Sequence, residues 1–88
     1  MDYLLFAYPN CPKCESLKTR LAEMEIVYAE YNLTQAQGKA KIREFIKVIK
    51  RDDTGAIILP TLVAHTQGIV RAVINTAEEF DGWSKSKG

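Results

Sequence analysis

Cys11-Pro12-Lys13-Cys14 contains the only two cysteines of the chain. A separation of two residues lets a single helical turn bring both sulfurs together, which is the arrangement that thiol-disulfide exchange needs. If a helix begins at residue 11, Cys11 sits at its tip. There the unpaired backbone N–H groups and the positive end of the helix dipole favour a thiolate over a thiol, so Cys11 is the expected nucleophile. Pro12 suits the first helical position, where its missing N–H would have had no intrahelical partner and its fixed φ is already helical. Cys14 lies one turn further in, in register with Leu17, Leu21 and Met24, and is expected to be the less exposed, resolving thiol.

Composition bounds what must position these thiols. With 88 residues, 47% of them apolar, the chain is expected to form one domain over 1–88, large enough for a single sheet-centred core. A formal net charge of +1 supplies no field for nucleic acid or an anionic membrane surface. Two cysteines are too few for a secreted disulfide scaffold. The longest apolar stretches, Tyr3 to Ala7 and Ala56 to Val63, are too short to span a bilayer, and no cleaved leader is expected. These features point to the reducing cytoplasm, where a Cys-X-X-Cys pair is more often catalytic or metal-binding than a permanent crosslink. A closed zinc site needs four ligands, whereas the chain adds only His65, placed in a distant turn, so no metal site is expected.

The elements follow from local pattern. Tyr3 to Tyr8 is nearly all apolar, as in a strand covered on both faces, and Pro9-Asn10 ends it. The helix carrying Cys14 follows, and Ile26 to Leu33, rich in β-branched and aromatic residues, predicts a second strand parallel to the first. Thr34-Gln35-Ala36-Gln37 has capping-box spacing ahead of Ile42, Phe45, Ile46 and Ile49, the stripe of a second helix. Lys39, Lys41, Arg43, Lys47, Lys50 and Arg51 then form its solvated face. After a polar turn at Asp52 to Gly55, Ala56 to Leu62 is a strand run interrupted by Pro60. His65-Thr66-Gln67 reads as the turn of a hairpin leading to a strand over Gly68 to Ile74. Thr76-Ala77-Glu78-Glu79 caps a last helix containing Phe80 and Trp83, before a frayed tail from Ser84 to Gly88. The order is β-α-β-α-β-β-α, an α/β fold with a mixed four-stranded sheet flanked by helices.

With Cys11, Pro12, Cys14 and Pro60 in that order of elements, the whole chain resembles a glutaredoxin-like member of the thioredoxin superfamily. The resemblance implies a thioredoxin-like fold, a redox motif after the first strand, and a cis proline at Pro60 beside the disulfide. A proline in a strand-like run also removes a ladder donor and leaves the backbone at Leu59 free to pair with an extended substrate. The implied activity is that of a dithiol-disulfide oxidoreductase acting on protein disulfides. It would have no bound cofactor and would act as a monomer, with glutathione or a thioredoxin-reductase system as the external reductant. A noncatalytic or iron-sulfur-binding redoxin-like adaptor is the alternative.

Departures from the family pattern bear on substrate. Glutathione-using members commonly have lysine where this chain has Tyr8, an aromatic where it has Lys13, and a Gly-Gly-x-Asp-like segment where it has Val70 to Asn75. The buried carboxylate of the thioredoxin first strand is replaced by Leu5. Residues expected around the substrate are Tyr8, Pro12, Lys13, Leu59, Pro60, Arg71 and Thr76. Arg71 is set to pair with a carboxylate, and the N–H groups near Thr76 to receive another.

Overall fold

The computed structural model describes residues 1–87. Its sheet has four strands in the order β2-β1-β3-β4, where β1 is Asp2–Ala7, β2 Ala29–Asn32, β3 Thr61–Thr66 and β4 Ile69–Ile74. Strand β1 runs parallel to β2 and antiparallel to β3, and β4 is antiparallel to β3. The helices are α1 Pro12–Glu23, α2 Ala36–Ile42 and α3 Ala77–Lys87, with a short 3-10 turn at Arg43–Phe45. Among the described residues, no helix is long and apolar enough to cross a membrane.

Side chains alternate across the central strands, so each face of the sheet builds its own core. Leu4, Phe6 and Val63 join Leu33, Ile42 and Ile49 on one face. Leu5, Leu62 and Ile74 meet Leu17 and Leu21 of α1 and Phe80 of α3 on the other. The result is three layers, α2 against one face and α1 with α3 against the other. The near-continuous apolar pattern of β1 reflects this double burial.

Several element limits differ from the sequence expectation, each for a physical reason. Strand β2 is shorter than Ile26 to Leu33 because the end of α1 consumes its beginning. Glu25, at φ 57, donates to Ala22 O, and Ile26 N–H donates to Leu21 O at 2.9 Å, a Schellman closure that takes Ile26 out of any ladder. Met24 is half exposed rather than continuing the buried stripe. The capping box expected at Thr34 does not form. Asn32 Oδ1 instead accepts from Thr34 N–H at 2.8 Å and Thr34 Oγ1 at 2.6 Å, and Gln35 caps α2 without a side-chain bond.

Helical geometry in the second helix tightens and ends near Phe45, so Ile46 is exposed while Ile49 returns to the core. The apolar run before Pro60 is not sheet. It folds back on residues 50–52, with Ile58 N–H donating to Lys50 O and Asp52 N–H to Ala56 O. Strand β3 starts only at Thr61, past the proline that cannot donate to a ladder. His65 therefore lies in β3, partly buried, with its ring 6.0 Å from Phe45, and is not a turn residue. The hairpin turn is Gln67-Gly68, at φ 51 and φ 82, the two positive values that a two-residue turn between twisted strands requires. Helix α3 continues through Ser84 to Lys87 where a frayed tail was expected, and Gly88 lies outside the described residues.

Candidate functional site: a disulfide at a helix tip beside a cis proline

Strand β1 delivers the chain to the edge of the sheet, and Asn10, at φ 56, turns it into α1; asparagine tolerates this left-handed conformation better than most residues. Cys11 is the extended residue that caps α1, at φ -112 and ψ 106, and Pro12 takes the first helical position. Cys14 N–H donates to Cys11 Sγ at 3.2 Å, so the tip of the helix points one of its otherwise unpaired donors at this sulfur. The two cysteines are joined as a disulfide with Cα atoms 5.2 Å apart. Their surroundings differ sharply. Cys14 is fully buried on the inner side of α1, with Leu17 and Leu21, whereas Cys11 is partly exposed. Only one sulfur is thus accessible to an incoming partner.

Register brings the proline loop to the same edge. Thr61 pairs with Phe6, which places Pro60 level with the end of β1, just ahead of the cysteine motif. The Leu59-Pro60 peptide bond is cis, as the family resemblance implies, and Pro60 is buried. Among the described residues, neither the N–H nor the C=O of Leu59 makes a hydrogen bond. The loop is held from behind: the Asn75 side chain donates to Ile58 O at 3.0 Å and Pro60 O at 2.9 Å, and Thr61 Oγ1 donates to Ile58 O at 2.6 Å.

Two cavities flank the motif. The larger, about 550 Å³, is lined by Tyr8, Asn10, Cys11, Pro12 and the charged group Glu15, Lys18 and Glu30. Lys18 Nζ lies 2.6 Å from Glu30 and 3.2 Å from Glu15. The hydrogen bond to Glu30 holds its ammonium above the ordinary lysine value against the opposing effect of burial, with Glu15 adding to the rise. The smaller cavity, about 240 Å³, lies between the tips of α1 and α3 and is lined by Lys13, Ser16, Thr76, Ala77 and Glu78. Thr76 caps α3 by accepting from Glu79 N–H at 3.0 Å, which is the first half of the expected capping box, while the Glu79 carboxylate accepts from the N–H of Asn75, one residue before the cap, at 2.9 Å.

The structure therefore gathers Cys11, Cys14, Pro12, Tyr8, Lys13, Leu59, Pro60 and Thr76 around one edge of the sheet. Arg71 is not brought there. Ala64 pairs with Ala72 and His65 with Val70, which leaves Arg71 as the extra residue of a β-bulge, level with the first half of β1 and away from the motif. Sequence reasoning missed Asn75 and the Glu15, Lys18, Glu30 group. The first carries no local signal beyond a polar residue closing an apolar strand. The second joins α1 to β2 through space. Among the described residues, no three of His, Cys, Asp and Glu are gathered so as to hold a metal ion.

This site and sheet define a thioredoxin-like fold bearing a Cys-X-X-Cys disulfide at the tip of its first helix. No known family's sequence profile matches the chain, and no curated protein sequence does. Solved structures do. NrdH-redoxin from Escherichia coli, described as a glutaredoxin-like protein with a thioredoxin-like activity profile, matches with a TM-score of 0.60 and 12% identity, over 88% of this chain and 84% of that one. The oxidised form of mitochondrial thioredoxin 3 from Saccharomyces cerevisiae matches with a TM-score of 0.61 and 15% identity, over 98% of this chain and 77% of that one. At these identities the likeness is one of fold.

Proposed function

We propose that this protein is a dithiol-disulfide oxidoreductase that reduces protein disulfides through Cys11 and Cys14. The observation that carries the reading is the pairing of one accessible sulfur and one buried sulfur at a helix tip, next to a Leu59 backbone with free hydrogen-bonding groups. Starting from the dithiol, the Cys11 thiolate attacks one sulfur of a substrate disulfide. A mixed disulfide forms and the other substrate sulfur leaves as a thiolate, which takes up a proton. Cys14, once deprotonated, attacks Cys11 Sγ, releases the second substrate thiolate and closes the Cys11–Cys14 bond. Two electrons pass from the protein to the substrate, and an external thiol reductant, glutathione or a thioredoxin-reductase system, returns them. With the fully buried Leu5 in place of a carboxylate, the proton of Cys14 passes to solvent or to the departing thiolate. Such a cycle fits a monomer in the cytoplasm, where reducing thiols are supplied.

A preference for protein disulfides over glutathione rests on the surroundings of Cys11. Glutathione carries two carboxylates, whereas the larger cavity already holds Glu15 and Glu30, with Lys18 committed to both. Arg71 is too far along β4 to supply a replacement cation. Each charged hydrogen bond not made forgoes about 1.5 to 3 kcal/mol, roughly tenfold or more in affinity.

Trapping tests the mechanism. Cys14→Ser is expected to accumulate a mixed disulfide with a protein substrate, and Cys11→Ser to form none, while the wild type turns over many equivalents of an insulin-like disulfide per chain. Stoichiometric binding without turnover would support the adaptor reading instead.

A further inference from the structure

We propose that Asn75 is a positioning residue for the substrate-facing loop: its buried side-chain amide, rather than the sheet ladder, sets the Leu59-Pro60 backbone beside the cysteine pair. This rests on the thiol-exchange reading above and adds to it the group that orients the docking backbone.

Asn75 is 4% exposed, at the junction of β4 and α3. Its amide nitrogen reaches Ile58 O, Pro60 O and, at 3.3 Å, Thr61 Oγ1. One NH₂ group therefore grips the carbonyls on either side of Leu59. In a planar trans peptide the C=O and N–H point in opposite directions. Holding Ile58 C=O against Asn75 thus turns Leu59 N–H away from the interior, where it is left unpaired among the described residues. An extended substrate strand needs that donor.

The amide is itself held. Asn75 N–H donates to Glu79 Oε1, Glu79 pairs with Lys50 Nζ at 3.1 Å, and Lys50 O accepts from Ile58 N–H at 3.1 Å. The contacts close a ring that ties both ends of the segment from Lys50 to Pro60 to the start of α3. The residue satisfies two loop carbonyls but carries a cost of its own. Asn75 Oδ1 is buried without a hydrogen-bond partner among the described residues, which costs free energy that an apolar side chain of similar volume would not incur. What only the amide supplies is the pair of donors aimed at the proline loop.

The test compares two substrates in single turnover from the reduced protein: a disulfide between extended peptides, and bis(2-hydroxyethyl) disulfide, which has no peptide groups to pair. Asn75→Leu is expected to slow the peptide disulfide tenfold or more, while the small disulfide and iodoacetamide alkylation of Cys11 change less than twofold. Thr61→Val removes the hydroxyl from the same cluster with little change of volume and is expected to cause a smaller loss in the same direction, which Thr61→Ser restores. Circular dichroism checks each fold, and if Asn75→Leu fails to fold, the Thr61 pair decides. An equal loss on both substrates, or no loss on either, would overturn the inference. A wild type inert toward both would overturn the thiol-exchange reading itself.

Discussion

Cys11 and Cys14 share a turn of helix and a bond, yet their chemistry is divided by position. Cys11 precedes the first helical residue, accepts the Cys14 N–H and is partly exposed, whereas Cys14 is packed out of reach beneath it. Once the pair is reduced, the thiolate form is favoured at the cap by the helix N-terminus, with exposed Lys13 adding positive charge nearby. Iodoacetamide at pH 7 is therefore expected to label Cys11 at least tenfold faster than Cys14, as read by peptide mapping in a mass spectrometer. Faster labelling of Cys14 would reverse the roles assigned to the two thiols. Mild oxidation should restore the bond, read as a loss of two hydrogens and of alkylation at both cysteines.

Between elements, the close approach of α2 to the end of β2 constrains the cavity beside Cys11. Gly38 is buried where a Cβ would collide with the Asn32 carbonyl, and the carbonyl carbon would lie only 2.7 Å away. Both atoms are backbone, so neither can rotate aside. Helix propensity alone predicts that Gly38→Ala stabilises by about 1 kcal/mol. The collision reverses the sign, and the variant is expected to lose about 1 to 3 kcal/mol in urea unfolding, the usual cost of overpacking. Because Asn32 also lines the larger cavity, the same variant should lower peptide-disulfide reduction. A gain in stability would show that α2 can move away from the strand at little cost.

Across the whole molecule, the layers are joined at the site edge by few polar ties, and Glu79 is one of them. Burial pushes its carboxyl pKa up, but the hydrogen bond from Lys50, the Asn75 and Thr76 N–H groups and the Lys50 charge together outweigh burial and hold it below the ordinary glutamate value. A carboxyl depressed in the folded state stabilises above its unfolded pKa, about 4.3, and loses that contribution as pH falls through the lower folded value. The Lys50–Glu79 side chains are 47% and 42% exposed, so the charge contributes in the range of surface pairs, about 0 to 1 kcal/mol. Glu79→Gln keeps an acceptor for the helix cap but loses the charge. Its melting temperature should fall a few degrees short of wild type at neutral pH, and the gap should close as the solution is acidified through the depressed folded-state value. A gap that persists at low pH would assign the effect to packing instead.

Features settled within a turn or two of chain are legible in the sequence. Pro12 after Cys11 marks a helix start because both the missing donor and the fixed φ act locally, and the spacing of Cys14, Leu17 and Leu21 selects one buried face. The order of elements and the paired capping residues Thr76 and Glu79 are legible for the same reason. The cis state of Pro60 was legible only through the family resemblance. Where ladders stop and which polar groups meet depends on contacts between distant segments. Ile26 left β2 because Leu21 took its N–H, β3 began after Pro60, and a bulge carried Arg71 away from the motif. Asn75 meets a carbonyl 17 residues earlier in the chain. Register between distant strands sets such encounters, and hydrogen-bond partners that far apart leave no periodic trace in a one-dimensional pattern.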